Sequence, residues 1–179
     1  MAFDSDRHHR RSVRLKGYDY AQGGAYFVTV CIQHWECLLG DVVDGQMVLS
    51  EWGLIASEAW ERVAQHWPTV GLDGFVVMPN HFHGIVVLGG EEGGGTPPLQ
   101  GAQVGGGPTL GAVFAYWKYQ TSKAINEMRQ SPGARLWQRS FHDRVIRNDW
   151  MLTRGRAYIA NNPVRWPEDV HNPANILSL

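Results

Sequence analysis

Length, composition and charge limit the structural classes open to this chain. Its 179 residues are 44% hydrophobic and include eight tryptophans, enough for one domain with a substantial core. No run approaches the roughly 18 to 20 apolar residues of a membrane helix, and the N-terminal residues lack the apolar segment of a signal peptide. A wholly disordered or fibrous protein is therefore excluded, and we expect a cytoplasmic protein without membrane contact.

The formal net charge of −1 conceals an uneven distribution of charge along the chain. Residues 7–16 carry five basic side chains and no acid, whereas residues 19–92 carry ten acids and the single base Arg62. Six arginines then fall within residues 135–156, against two acids. One such run is typical of a solvated surface. Two runs brought together by the fold would form a basic face that suits a polyanion.

The first half of the chain alternates between strand and helix patterns. Apolar and β-branched residues on both faces predict a buried strand from Ala25. Two glycines then predict a hairpin with residues 46–49 as its second strand. Ser50 is the predicted N-cap of a helix whose apolar residues repeat every 3.6 positions, and Pro68 ends it.

The second half contains two more apolar runs, 75–78 and 83–88, which predict adjacent strands joined by a short turn. Glycine and proline dominate residues 89–109, which predicts a flexible loop. The remainder is predicted to form a helix over 110–128, a short strand followed by an irregular basic segment over 136–146, and a helix that Asn148 or Asp149 caps and that ends near Asn162, before Pro163.

This order of elements predicts an α+β fold. Strand, helix, strand, strand, helix, strand, helix is the order of a ferredoxin-like split β-α-β sandwich, with helices on one face of an antiparallel sheet. We expect a basic N-terminal arm over 1–24, one domain over 25–173 that includes the loop 89–109, and a short tail over 174–179.

The most specific local motif is a pair of histidines within residues 78–84, Met-Pro-Asn-His-Phe-His-Gly. Residues i and i+2 of a strand share a face, so His81 and His83 would lie side by side with Phe82 buried behind them. That arrangement suits two ligands of one divalent metal, with Gly84 leaving room above the pair. The alternative is two ordinary polar residues at a strand edge, and a metal site would need a third ligand from elsewhere.

A second motif surrounds Tyr158 in the predicted third helix. Tyr158 and Asn162 are four residues apart and would share one helix face. A helical tyrosine is often a core aromatic with its hydroxyl at the surface. Here arginines flank it on both sides, which suits contact with a phosphate. Tyrosine can act as a nucleophile, although a pKa of about 10 means that it needs help from a metal or a base.

Taken together, these segments resemble the REP-associated tyrosine transposases, which belong to the HUH superfamily of single-strand DNA endonucleases. The similarity extends over residues 12–173. It is carried by the His81-Phe82-His83 motif, the end of the basic arm at Arg14-Leu15-Lys16-Gly17-Tyr18-Asp19-Tyr20, Trp137-Gln138-Arg139-Ser140-Phe141 with Val145-Ile146-Arg147, and Tyr158-Ile159-x-x-Asn162-Pro163.

The resemblance implies a site and a reaction. His81, His83 and Asn162 match metal ligands, for Mg²⁺ or Mn²⁺, and Tyr158 matches the nucleophile that forms a 5′-phosphotyrosine. The implied substrate is single-stranded or hairpin DNA, such as REP-like palindromes, which a transposase cleaves and rejoins as a monomer or homodimer near the nucleoid. Phe141 and His142 depart from an aromatic pair that often contains tyrosine, which leaves Tyr158 without a nearby competitor.

The DNA contacts that we predict lie in the two basic segments, with tryptophan or tyrosine stacking on unpaired bases. Two other functions stay open: a hairpin-binding protein that has lost cleavage, and a metal-dependent hydrolase with a water nucleophile. The sequence does not distinguish DNA from RNA. The predicted DNA-binding residues are Arg10, Arg11, Arg14, Lys16, Arg139, Arg144, Arg147, Arg154 and Arg156.

Overall fold

A computed structural model describes residues 23–89 and 107–176. The predicted arm and loop lie almost wholly outside the described residues, as do the four basic residues Arg10, Arg11, Arg14 and Lys16. Within the described ranges, no helix is long and apolar enough to cross a membrane.

Six strands and four helices make up the described part of the chain, with short 3-10 turns at Gln33–Trp35 and Trp166–Glu168. In chain order they are β1 (Gly24–Cys31), β2 (Gly40–Val43), β3 (Gln46–Leu49), α1 (Glu51–His66), β4 (Val70–Val77), β5 (His81–Leu88), α2 (Leu110–Met128), β6 (His142–Ile146), α3 (Asp149–Asn161) and α4 (Pro173–Ile176).

The strands form one antiparallel sheet in the order β4-β5-β1-β6 and a separate β2-β3 hairpin. This is the predicted split β-α-β arrangement. The connection that contains α1 leads from β1 to β4 and the one that contains α2 leads from β5 to β6, and in each case one other strand lies between the two strands in the sheet. The α+β fold class is confirmed. The order within 136–146 differs from the prediction, since the irregular part comes first and the strand last. Leu136 and Trp137 are also buried, but only an isolated bridge joins Trp137 to Ile32, whereas His142–Ile146 pairs continuously with β1.

The two faces of the sheet carry different helices. On one face α1 and α2 pack over the main core, whose largest buried side chains include Trp60, Phe82 and Trp117. On the other face α3 packs through Leu152 and Ile159 against a smaller cluster from the sheet. The helices expected on one face of the sheet are therefore present as α1 and α2, and α3 forms an additional layer on the opposite face.

Each long helix begins at a side chain that accepts a backbone N–H. Ser50 Oγ accepts from Gly53 in α1 at 3.2 Å, and Thr109 caps α2 in the same way. Asn148, rather than Asp149, caps α3, since its Oδ1 accepts from the Met151 N–H at 2.9 Å. The helix that carries Tyr158 thus begins at a fixed point beside β6.

Gly84 serves the main core, and our expectation that it leaves room above the imidazoles was wrong. A Cβ at this position would lie 2.7 Å from the Phe82 ring and 3.2 Å from Trp60. The reason is the period of two along β5, which turns residue 84 to the face opposite the histidines. The missing side chain allows the Trp60 and Phe82 rings to approach to 4.8 Å between centroids.

We predict that Gly84→Ala lowers the free energy of unfolding by about 1–3 kcal/mol, because the new methyl group overpacks a filled core. Gly74→Ala is the matched control, since its Cβ would meet only Ile159 methyl carbons at 3.9 Å. Urea denaturation of both variants measures the difference. Equal stability of Gly84→Ala and the wild type would contradict this account of the core.

Candidate active site

The two histidines lie at the start of β5, on the face that α3 covers. His81 is fully buried and His83 is 2% exposed. Their ring centroids are 4.6 Å apart, with the planes 72° from parallel. The predicted side-by-side pair is therefore present, with Phe82 buried behind it in the main core.

Asn80 determines which nitrogen of His81 is free. The Asn80 amide nitrogen donates to the Trp35 carbonyl at 3.1 Å and to the His171 carbonyl at 2.7 Å, so its Oδ1 is an acceptor. His81 Nδ1 lies 2.9 Å from that oxygen and therefore carries the proton. The lone pair of His81 is consequently on Nε2, on the other side of the ring.

Thr29 plays the corresponding role for His83. It lies directly opposite His83 in the β1–β5 register, and its Oγ1 is 2.8 Å from His83 Nδ1. A ring N–H donating to a neighbouring oxygen is the usual way in which a metal-binding histidine is oriented. With Nδ1 engaged by Thr29, Nε2 is the nitrogen of His83 that is left for a ligand.

Burial keeps both imidazoles neutral at physiological pH. Desolvation lowers the pKa of His83 to about 3, with His171 adding to the effect. Desolvation also holds the pKa of His81 well below its ordinary value of 6.5, and the neighbouring His83 and His171 lower it further. Neutral imidazoles are the form that binds a metal ion.

Asn162 completes a set of three buried polar atoms that form no hydrogen bond of good geometry among the described residues, and its side chain lies close enough to His81 and Tyr158 to influence the pKa of each. They are His81 Nε2, His83 Nε2 and Asn162 Oδ1. Asn162 is 2% exposed and follows α3 directly. Buried polar atoms are nearly always paired, so three such electron-pair donors together fit a bound cation.

Asp169 is a further candidate ligand that the sequence analysis missed. One of its carboxylate oxygens lies within 4.8 Å of the ligand nitrogens of both His81 and His83. The carboxylate also accepts the His171 backbone N–H at 2.7 Å, which fixes its position. Asp169 follows the 3-10 turn after α3, where no helical spacing relates it to Tyr158. The only available signal was an acid downstream of the helix.

Tyr158 lies beside the histidine pair. Its ring meets His83 edge-on at 5.2 Å and Phe27 edge-on at 5.7 Å between centroids, and the residue remains 43% exposed. Partial burial raises the pKa of Tyr158 above 10, Asp169 raises it further, and Asn162 partly offsets both. The phenol is therefore protonated at neutral pH but accessible to a ligand.

Gly155 allows α3 to lie close to the sheet. A Cβ there would stand 3.2 Å from Ile85 Cδ1 and 3.5 Å from the Phe27 ring. Glycine inside a helix costs about 1 kcal/mol relative to alanine. In return, the absence of a side chain at Gly155 lets α3 lie close to β5, which brings Tyr158 next to His83.

An ion pair anchors α3 to the edge strand β4. The Arg156 guanidinium donates to both carboxylate oxygens of Asp73, from Nε at 2.9 Å and from Nη2 at 2.6 Å. Asp73 lies where the β4–β5 register shifts, between Leu72 and Phe75. The Arg156 hydrogen bonds are the main cause of a lowered Asp73 pKa. Arg156 thus positions α3, and its predicted contact with DNA stays a prediction.

The arginines of the second basic segment are on the surface. A cleft of about 680 Å³ opens beside the histidine pair, and its lining includes His83, Tyr158, Arg144 and Arg154. Among the described residues that line it, Tyr158 is the only tyrosine. The exposed arginines of the segment are Arg135, Arg139, Arg144, Arg147, Arg154 and Arg156.

Comparison with known proteins identifies a relative and a fold. No protein-family model matches the chain. It is 34% identical over 173 residues to an uncharacterized protein of Haemophilus influenzae Rd, covering 93% of this chain and 95% of that one. A solved REP-associated tyrosine transposase bound to a REP hairpin superposes with a TM-score of 0.58 at 21% identity, over 85% of this chain and 73% of the other.

The chain belongs to one family with the Haemophilus protein, and its fold is that of the solved REP-associated tyrosine transposase. The expectation that the sequence resemblance raised about the fold is confirmed. In this fold, His81 and His83 lie on a central strand, and Tyr158 lies on the helix that covers it. Similarity at 21% identity establishes the fold, and the chemistry has to be inferred from the site.

We predict that Asp73→Asn lowers the free energy of unfolding by up to about 1 kcal/mol at neutral pH, because it breaks a two-bond ion pair. The Asp73 pKa is depressed in the folded state, so this contribution is present above the ordinary value of 3.8 and lost as pH falls through the folded pKa. The difference between variant and wild type should therefore shrink below pH 3.8.

Glu58→Gln is the control for this prediction, since Glu58 pairs with Arg62 on the exposed face of α1. Such a pair contributes little to stability. Denaturation curves recorded across the acid range measure this. If Asp73→Asn and Glu58→Gln lost the same free energy of unfolding at every pH, the role of Asp73 in anchoring α3 would be contradicted.

Proposed function

We propose that this protein is a metal-dependent single-strand DNA endonuclease and strand transferase, a transposase that uses Tyr158 as its nucleophile. One observation carries the proposal: His81 Nε2, His83 Nε2 and Asn162 Oδ1 are buried without partners next to an accessible tyrosine. Three donor atoms that can bind a cation, with a nucleophile beside them, suit phosphoryl transfer better than a site that only binds DNA.

His81, His83 and Asn162 would hold Mg²⁺ or Mn²⁺, with Asp169 as an additional carboxylate ligand. Two neutral imidazoles and an amide bring no charge to a divalent ion, and Asp169 supplies one negative charge at the same place. Asn80 and Thr29 would keep both imidazoles in the ligating orientation. The bound ion would supply Lewis-acid polarisation of a phosphate oxygen.

Tyr158 would carry the covalent step. Its hydroxyl gives up a proton and attacks the phosphorus, forming the O–P bond of a 5′-phosphotyrosine. The bond from phosphorus to the 3′ oxygen breaks, and that oxygen takes a proton and leaves as a 3′-hydroxyl. A later attack by a 3′-hydroxyl reverses the exchange. One phosphodiester replaces another, so rejoining requires no ATP.

The substrate that we propose is single-stranded or hairpin DNA, including REP-like palindromes. Arg144 and Arg154 line the cleft beside Tyr158, where they can contact the phosphates of a strand. The solved neighbour bound to a REP hairpin supports a DNA partner. We infer that the basic arm adds phosphate contacts and that the protein works in the cytoplasm, at the nucleoid.

A monomer suffices for the proposed cleavage. The histidine pair, Asn162 and Tyr158 all come from one chain, and His83 and Tyr158 line the same cleft. A homodimer is the alternative, and light scattering of the protein with and without DNA decides between them.

We predict that the wild type, given hairpin-bearing single-stranded DNA and Mg²⁺ or Mn²⁺, forms a covalent protein–DNA adduct that Tyr158→Phe abolishes. The reason is that phenylalanine keeps the ring contacts with His83 and Phe27 but removes the attacking oxygen. Denaturing gel electrophoresis with end-labelled DNA measures the adduct.

Tyr119→Phe is the matched control, because Tyr119 is exposed on α2, away from the cleft. An adduct that survives Tyr158→Phe would refute the nucleophile. Cleavage without any adduct would indicate a water nucleophile instead, and binding without cleavage would indicate a hairpin-binding protein.

We predict that Asn162→Ala and Asp169→Asn each weaken Mn²⁺ binding by about 10- to 100-fold, the range seen when supporting groups of metal sites are removed. Isothermal titration calorimetry without DNA measures the affinity. Asp41→Asn, an exposed carboxylate on the β2-β3 hairpin, is the control and should leave it unchanged. Unchanged affinity in both site variants would show that the metal is held elsewhere.

A further inference from the structure

The geometry points to a second role for α3: we propose that Trp150 and Arg154 form a stacking platform for an unpaired base near the cleaved phosphodiester. This inference rests on the proposed function, because it assigns a place to the strand that Tyr158 attacks. Neither residue is needed for the metal or for the nucleophile. Trp150 lies outside the sequence motifs that indicated the site.

Trp150 is exposed at a position where the fold gains little from it. It sits in the first turn of α3 and is 64% exposed, although tryptophan is the residue with most to gain from burial. The Arg154 guanidinium carbon lies 4.7 Å from the Trp150 ring centroid, one helical turn further on. The cation holds the indole against the helix and offers a planar, positively charged edge beside it.

The platform faces the same cleft as the nucleophile. Residues 150, 154 and 158 recur every four positions along α3 and line the helical side of that cleft, while His83 and His142 line it from the sheet. Eight residues of α-helix span about 12 Å. That span corresponds to roughly three or four stacked nucleotides at about 3.4 Å each. A strand with its phosphate at Tyr158 would therefore place a nearby base at Trp150.

The charges around the platform favour a nucleic acid strand over an apolar partner. Arg144 projects from β6 on the same side of the sheet as Phe27, and it lines the cleft opposite α3. No carboxylate within residues 23–89 and 107–176 forms a salt bridge with Arg144 or Arg154. Asp143 is the one acid among the described residues of the lining, against the two arginines. Guanidinium groups that no described carboxylate pairs, beside an exposed indole, are the combination that binds phosphates and stacks bases in single-stranded DNA.

The first experiment measures binding without cleavage, in a Tyr158→Phe background. The probe is a fluorescein-labelled hairpin oligonucleotide pool with a single-stranded flank of random sequence, and the readout is fluorescence anisotropy. Adding Trp150→Ala should weaken binding by about 5- to 150-fold, the range for losing one base stack of about 1–3 kcal/mol. Trp150→Phe should recover most of the affinity. Tyr119→Ala, which removes another exposed aromatic residue, should bind normally.

The second experiment locates the base. A flank selected from the pool by binding is resynthesised with a single abasic site moved along it. One abasic position should weaken binding in the Tyr158→Phe background and have no further effect once Trp150→Ala is added. The platform would be overturned if Trp150→Ala bound the probe as tightly as the Tyr158→Phe parent. It would also be overturned if the abasic site weakened binding by the same factor with and without Trp150 at every position.

Failure of the platform and failure of the proposed function give different results. If the wild type forms the Tyr158 adduct while Trp150→Ala binds and reacts as the wild type does, only the platform is wrong. If the wild type forms no adduct while the abasic effect depends on Trp150, the platform stands and the cleavage chemistry is wrong.

Discussion

The pairing of β1 with β5 is the constraint on which the rest of the structure depends. Its register places Thr29 opposite His83, and the alternation along β5 sends both histidines to one face and Phe82 to the other. A slip of one residue would move the imidazoles into the tryptophan-rich core and Phe82 into the cleft. Phe82, between the two histidines, therefore both fills the core and fixes the register. Its ring centroid lies 4.8 Å from that of Trp60 and 4.7 Å from that of Trp117.

The site itself weakens the fold that carries it. A buried polar atom without a partner costs about 1–3 kcal/mol, and three of them meet between β5 and the end of α3. The main core on the other face of the sheet offsets this cost, since it buries large side chains from both strands and helices. A cation that binds only the folded chain would recover much of it by mass action. Stability and metal occupancy are thus coupled in this fold.

Much of the site could be predicted from local patterns, and the parts that could not depend on tertiary contacts. The period of two placed His81 and His83 together, and the proline after Asn162 marked the end of α3. Asp169 was not predicted because the chain turns back towards the histidines after α3, and no periodic pattern in the sequence indicates that turn. The role of Gly84 was misread because it follows His83 directly in sequence, whereas its neighbours in space are Trp60 and Phe82. The strand within 136–146 was misplaced because pairing with β1 selects His142–Ile146, and both ends of the segment carry buried apolar residues.

The register shift in β4 has a consequence for the behaviour of the molecule in solution. β4 is an edge strand, and the open edge of a sheet can recruit a strand from another molecule. Between Leu72 and Phe75 the ladder is interrupted, and Asp73 turns towards Arg156 on α3. A bulge and a charge at the midpoint of an edge strand deny an incoming strand the continuous row of hydrogen bonds that it needs. The Asp73–Arg156 ion pair that anchors α3 thus also disfavours the addition of a strand from another molecule to β4.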